Sequence, residues 1–144
     1  RQERLWAIVY ANFVETIFNK QVCQAWVSLS AEVPHNEMCQ RVQTVCNSRV
    51  TSNLRHELRN FSDAENAGRI AHILGVLIDG IWVRAGLFGA PPDSDAVIDE
   101  FEFAMIRLLG CSAPEQDLHR QARAKVKTIA GMVLNSRAFR QNVL

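Results

Sequence analysis

Apolar residues recur three and four apart along nearly the whole chain, and no run alternates for the length of a strand. That period predicts six helices. The first, over about 2–18, buries Leu5, Trp6, Val9, Phe13 and Ile17. The second follows Asn19 as its cap and carries Val22, Trp26 and Leu29. It ends before Pro34, because proline drives the preceding residue out of the helical region. The third runs from near Asn36 to about Asn60, with a seam of Met38, Val42, Val45, Cys46, Val50, Leu54, Leu58 and Phe61 beside Arg41, Arg49, Arg55 and Arg59. Ser62 and Glu65 in "SDAE" form a capping box that opens the fourth, over 63–88 and ending near Gly89. "GAPPDSD" then forces a turn. The fifth covers about 94–109 and stops at Gly110, and "SAPE", with Pro114 in the first turn, opens a sixth that reaches about Arg137. The expected fold is an all-α bundle without linker, repeat or low-complexity tract.

The fourth helix has an unusual pattern. It is greasy enough to suggest a membrane span, but Arg69, His72, Asp79 and Arg84 argue against one, since a span tolerates few or no charges. At about 100° per residue, Gly68, His72, Gly75, Asp79, Val83 and Gly86 share one narrow stripe, with Trp82 beside them. Ile70, Leu74, Val76, Leu77, Ile78 and Ile81 cover the other faces. A helix apolar on several faces must be surrounded. In a small domain the surroundings are expected to include a second copy, with the glycines allowing close backbone approach. Asp79 is costly to bury unpaired. Two readings are open: a structural ion pair or cap on a neighbouring helix, or a carboxylate facing a cavity and balancing a cationic ligand.

A length of 144 residues suits one domain with a substantial core. Net charge is +1, which gives no nucleic-acid footprint. The charges are segregated, however. Asp93, Asp95, Asp99, Glu100 and Glu102 form an acidic segment, whereas Arg120, Arg123, Lys125, Lys127, Arg137 and Arg140 face only Glu115 and Asp117 downstream. The basic face of the last helix is expected against the acidic segment, in the same chain or a partner. Cys23, Cys39, Cys46 and Cys111 show no CxxC spacing, and Cys39 and Cys46 lie too far apart along one helix to bridge. Free thiols in the cytoplasm are expected. Enzyme motifs are missing: the one Glu-x-x-His, Glu32 to His35, is interrupted by Pro34, and no nucleophile elbow, zinc-protease or phosphate-loop pattern occurs. His35 and Cys39 are four apart, but two ligands make a weak case for metal. No metal and no cofactor are expected.

Three stretches carry a family resemblance: "NFVET" (12–16), "AWVSLSAEVPHNEMCQRVQTVCNSRVTSNLRHEL" (25–58) and "LIDGIWVRAGL" (77–87). They resemble the C-terminal domain of BetI-type repressors of the TetR family, over about residues 4–110. The resemblance implies a six-helix regulatory domain that dimerises and senses a small molecule. The helix-turn-helix DNA-reading domain is expected upstream of Arg1, so this chain is expected to bind no operator itself. It also implies a homodimer built as a four-helix bundle from helices 63–88 and 94–109 of each chain, through Leu74, Ile78, Ile81, Ala85, Ile98, Phe101, Met105 and Leu109. Founding members of the family respond to choline in controlling glycine betaine synthesis. A quaternary ammonium is held by aromatic faces, often with a carboxylate nearby. The candidates here are Trp26, Trp82, Phe13, Tyr10 and Trp6, with Asp79 and Glu15 as charges. An uncharged apolar ligand, or a passive dimerisation module with no ligand, remains an alternative. Residues 111–144 depart from the family pattern as an added, basic, amphipathic helix with Leu118, Ala122, Val126, Ile129 and Val133 on its apolar face.

Overall fold

The computed structural model describes residues 1–89 and 93–134. It contains α1 (Gln2–Phe13), α2 (Lys20–Glu32), α3 (Glu37–Leu58), α4 (Ala64–Phe88), α5 (Ser94–Leu109) and α6 (Ala113–Leu134), and no strand among the described residues. The predicted end of α6 near Arg137 and the turn at Pro91–Pro92 lie outside the described residues.

Side-chain caps start most of these helices. Asn19 Oδ1 accepts from the Val22 N–H at 3.1 Å, and Asn36 Oδ1 accepts from the Met38 and Cys39 N–H groups. The cap of α4 is Asp63, one residue later than the expected Ser62. Its Oδ1 accepts from the Glu65 and Asn66 N–H groups at 3.0 and 2.9 Å. A carboxylate there also meets the positive end of the helix dipole, which Ser62 could not. Ahead of α6, Glu115 reaches back to accept from the Ser112 N–H at 2.7 Å, as a capping box requires. Gly89 and Gly110 close α4 and α5 at φ +67° and +64°, where a Cβ would be strained. The first helix is shorter than expected. Val14 turns extended (φ −64°, ψ 139°), and the Phe18 N–H donates to the Val14 carbonyl at 2.7 Å, which returns Phe18 to the core and leaves Ile17 exposed.

α4 is the central element: α2 and α3 pack along one side, α5 on another, and α1 fits between α3, α5 and α6. It is also the one helix among the described residues long and apolar enough to cross a membrane by composition. Its inward residues Ala67, Ile70, Ala71, Leu74 and Ile78 belong to the core, while Ile73, Val76, Leu87 and Phe88 are exposed. Leu5, Trp6, Val9, Phe13, Leu54, Leu58, Leu74, Ile98, Phe101 and Met105 are fully buried. A run of ring contacts, Phe101–Phe13–Phe18–Trp82–Trp26, crosses the interior with centroids 5.2 to 6.4 Å apart. All four cysteines are free thiols.

The charge segregation resolves within one chain. Lys127 pairs with Asp95, Arg123 with Asp99 and Glu102, and Arg120 with Glu102, so α6 lies with its bases against the acidic side of α5. Lys125 reaches Glu3 on α1 at 2.6 Å.

Several apolar expectations need correction. Leu74, Ile78, Ile98, Phe101 and Met105, expected at a dimer interface, are buried in this chain's own core. Ile81, Ala85 and Leu109 are half-buried against that core. An amphipathic pattern shows which face is covered, not which chain covers it. The outward face of α4 is rotated from the expected one and carries Ile73, Val76, Gly80, Arg84 and Leu87. On α3 the outer half of the expected seam (Met38, Val42, Val45) is exposed, and the inward face continues Leu58 and Leu54 through Thr51, Asn47 and Gln43. On α6 the buried residues are Ala122, Val126 and His119, while Leu118, Ile129 and Val133 are about half exposed.

Candidate functional site

The small and ionisable stripe of α4 faces α2 and α3. Its glycines serve contacts inside the chain rather than a symmetric one. A Cβ on Gly86 would collide with the Cys23 backbone of α2 and come within 2.6 Å of Val27 Cγ2. A Cβ on Gly75 would sit 2.9 Å from Thr51 Oγ1 of α3. Gly80 has open space around it.

Asp79 is half-buried on this stripe. Its Oδ2 accepts from the Asn47 Nδ2 of α3 at 3.1 Å, and among the described residues no base pairs with it. The expected structural ion pair is therefore replaced by one neutral amide donor. Beside it is a cavity of about 170 Å³, lined by Asn47, Val50 and Thr51 of α3 and His72, Gly75, Val76, Ile78 and Asp79 of α4. His72, Gly75 and Asp79 reach it together because spacings of three and four return to one helix face. Asn47 and Thr51 do the same from α3.

The aromatic candidates are placed differently. Trp82 donates its indole N–H to the Asn12 carbonyl at 3.1 Å and meets Trp26 edge to face, 6.4 Å between centroids. The two rings touch each other and do not flank a gap. The indole N–H of Trp26 is sealed from solvent, with no hydrogen-bond partner among the described residues. Phe13 is fully buried between Phe18 and Phe101. Tyr10 and Trp6 lie toward α6, where Trp6 meets His119 and the Arg123 guanidinium, and Glu15 is exposed. Apart from the His72 imidazole, no aromatic ring is in the lining of the Asp79 cavity among the described residues. The fold thus separates the carboxylate from the aromatics expected to work with it.

Sequence reasoning missed Asn47 and Thr51. A signal was there: Gln43, Asn47 and Thr51 extend the face of Leu54 and Leu58 by steps of four or three, so a polar run continues a buried apolar one. Gln43 confirms that placement by donating to Ser30 Oγ of α2 at 2.8 Å.

A second concavity of about 510 Å³ runs between α1 and α6, walled by Ala7, Tyr10, Ala11, Val14, Val126 and Ala130 among others, and is almost wholly apolar. Near it, burial would lower the pKa of the Arg123 guanidinium, but its contacts with Glu102, Asp99 and Tyr10 outweigh that and hold it above the ordinary arginine range.

The described residues form six helices around one core, with a half-buried carboxylate on the central helix. Residues 1–109 match the family model described as "BetI-type transcriptional repressor, C-terminal", and the chain belongs to that family. It is 41% identical over 91 residues to the HTH-type transcriptional regulator BetI of Klebsiella pneumoniae (strain 342), covering 63% of this chain and 47% of that protein. Against the regulator of the same name from Escherichia coli (strain K12) it is 40% identical over 92 residues, covering 64% and 47%. The chain thus spans about half the length of the curated relatives it matches. No solved structure matches it. All of α6 lies beyond residue 109, where the family match ends, while its ion-pair partners Glu3, Asp95, Asp99 and Glu102 lie within the match.

Proposed function

We propose that this domain senses a small organic cation and dimerises, as the regulatory half of a cytoplasmic TetR-family repressor of the BetI type. Choline is the first candidate effector, and operator DNA is the business of a helix-turn-helix segment of the whole protein. The observation that carries the reading is Asp79: a half-buried carboxylate at a cavity, with an amide donor but no cationic partner among the described residues. Removing a carboxylate from water without a counter-charge is unfavourable, and a bound cation supplies that charge.

Thermal melting tests it. A ligand present at 100 times its Kd adds about 2.7 kcal/mol to stability. Choline or another ammonium is expected to raise the melting temperature, whereas the neutral carbon isostere of choline is not. Equal shifts with the charged and neutral compounds would turn attention to the apolar α1–α6 groove, which suits an uncharged ligand.

For dimerisation, the outward face of α4 supplies Ile73, Gly80, Arg84 and Leu87, with half-buried Leu77 at its edge, at alternating spacings of four and three, the spacing of a helix-pairing seam. Val97, Ala104 and Leu108 lie on the flank of α5 turned away from its ion pairs with α6. Gly80→Glu places a charge on that seam where nothing in the protomer is displaced. The variant is expected to sediment as a folded monomer at concentrations where the parent is a dimer. A parent that sediments as a monomer at tens of micromolar refutes the seam.

A further inference from the structure

We propose that α6 is a strap held down by charge, and that rising ionic strength releases it as a unit from α1 and α5. The proposal does not depend on Asp79 or on the identity of an effector.

Three observations carry it. First, α6 buries little apolar surface. Of its 22 residues only His119, Ala122 and Val126 are buried, while Leu118, Ile129, Met132 and Val133 are 50 to 69% exposed. The 12 residues of α1, by contrast, bury Leu5, Trp6, Val9, Tyr10 and Phe13. A helix is normally held by the apolar side chains that packing takes out of water, and α6 offers one histidine, one alanine and one valine.

Second, charge holds α6 instead. Each of its four bases pairs with a carboxylate of another helix: Arg120 with Glu102, Arg123 with Asp99 and Glu102, Lys125 with Glu3, and Lys127 with Asp95. In every pair except Arg123–Glu102, at least one side chain is more than half exposed. Salt shortens the reach of such charges, from about 10 Å at 0.1 M to about 3 Å at 1 M. The apolar packing of α1 to α5 has no charge to screen.

Third, docking leaves polar atoms unpaired. Trp6 Nε1, Tyr10 OH and His119 Nδ1 are sealed from solvent with no hydrogen-bond partner among the described residues. All three belong to the α1–α6 contact. The Trp6 and His119 rings meet edge to face, the Arg123 guanidinium lies over Trp6, and Tyr10 walls the groove with Val126. Arg123 stands near the Tyr10 oxygen without completing a hydrogen bond. Each of these groups gives up water on docking and gains no replacement, so release restores its hydrogen bond.

The N–H groups of Gly110 and Cys111 donate to carbonyls of α5, so α5 needs nothing from α6 to end where it does. Release bares Trp6 and Tyr10 on α1 and dismantles the α1–α6 groove, one wall of which is α6. Salt thereby controls access to an aromatic face that the docked chain hides.

Hydrogen exchange of the whole chain, followed by mass spectrometry at constant pH in about 0.1 M and about 1 M sodium chloride, tests this. Amides of α6 are expected to exchange at least tenfold faster at high salt, because an undocked helix loses the packing that stabilises it. Amides of residues 64–78 in α4 are expected to keep their rate. At low salt, Lys127→Glu sets like charges together and is expected to speed α6 exchange at least threefold. Adding Asp95→Lys restores an opposite pair and is expected to slow it again, a reversal that an apolar contact would not show. Exchange in α6 that ignores salt overturns the proposal. So does an equal rise in α4, which would be unfolding of the whole domain, or a double variant that exchanges as fast as Lys127→Glu alone.

Discussion

Gly86 and His119 show how much one side chain decides here. Gly86 is where α4 comes closest to α2, and the atoms a Cβ would meet include backbone, which cannot rotate aside. Gly86→Ala is expected to lose about 1–3 kcal/mol, the range for overpacking, measured as a lower urea midpoint with unchanged slope. His119 is buried against Trp6 and Phe61, and burial pushes its pKa below the ordinary value of 6.5, opposed by the smaller pull of Glu102 and Glu115. The native state therefore holds the ring neutral while the unfolded chain takes a proton below about pH 6.5. Stability is full above that pH and declines as pH falls toward the native pKa. Melting temperature is expected to drop between about pH 7 and pH 5, and His119→Phe is expected to flatten that decline. The carboxylates with lowered pKa contribute only below about pH 4.5, so they do not imitate the effect. A decline of equal size in the variant would assign it to other groups.

Among the helices, α4 and α6 were legible to different degrees. The period of α4, its glycines and its ionisable stripe all follow from spacing. Which neighbour met which face did not, because several apolar faces fit a core equally well. Phe101 illustrates the point: its periodicity was clear, but only the packed structure shows it inside the protomer, in contact with Phe13. Phe101→Ala is expected to cost about 3–5 kcal/mol of protomer stability, seen by denaturant melting. An interface residue would instead alter assembly with little change in the fold. For α6, charge alone indicated the acidic segment as its partner. Arg123 is the central pair of that contact, its side chain 19% exposed opposite a Glu102 side chain only 14% exposed. Arg123→Met leaves Glu102 with only its longer pair to Arg120, at 3.7 Å, and is expected to cost about 1–3 kcal/mol. Lys127→Met, at an exposed pair, is expected to change stability by less than about 1 kcal/mol and to depend on salt.

At the level of the assembled domain, α6 lies beyond the stretch that matches the family. It lies along α1 and is bound electrostatically to α5, so it covers the protomer on the side away from the proposed seam. The proposed dimerisation through α4 and α5 and effector binding between α3 and α4 can therefore coexist with α6. The cavity and the seam share α4: His72, Val76 and Asp79 line one, and Ile73, Leu77 and Gly80 lie on the other. An effector that draws α3 toward α4 acts on the helix through which the two copies would meet, which is a short physical route from binding to a change in dimer geometry.

The amino-acid order was enough for the all-helical class, most helix ends and the family. Each depends on local rules: a 3.6-residue period, a cap within three residues, a left-handed glycine, a motif in register. Spacing also singled out Asp79 and the α4 stripe. It could not show that Asp79 bonds Asn47 and not an arginine, nor that Trp26 and Trp82 close on each other away from it. Nor could it tell core from interface at Leu74, Ile98 and Met105. Those facts depend on contacts between helices far apart in sequence, where small rotations about a helix axis exchange one neighbour for another. Local periodicity fixes a helix and its greasy faces, and only packing chooses what each face meets.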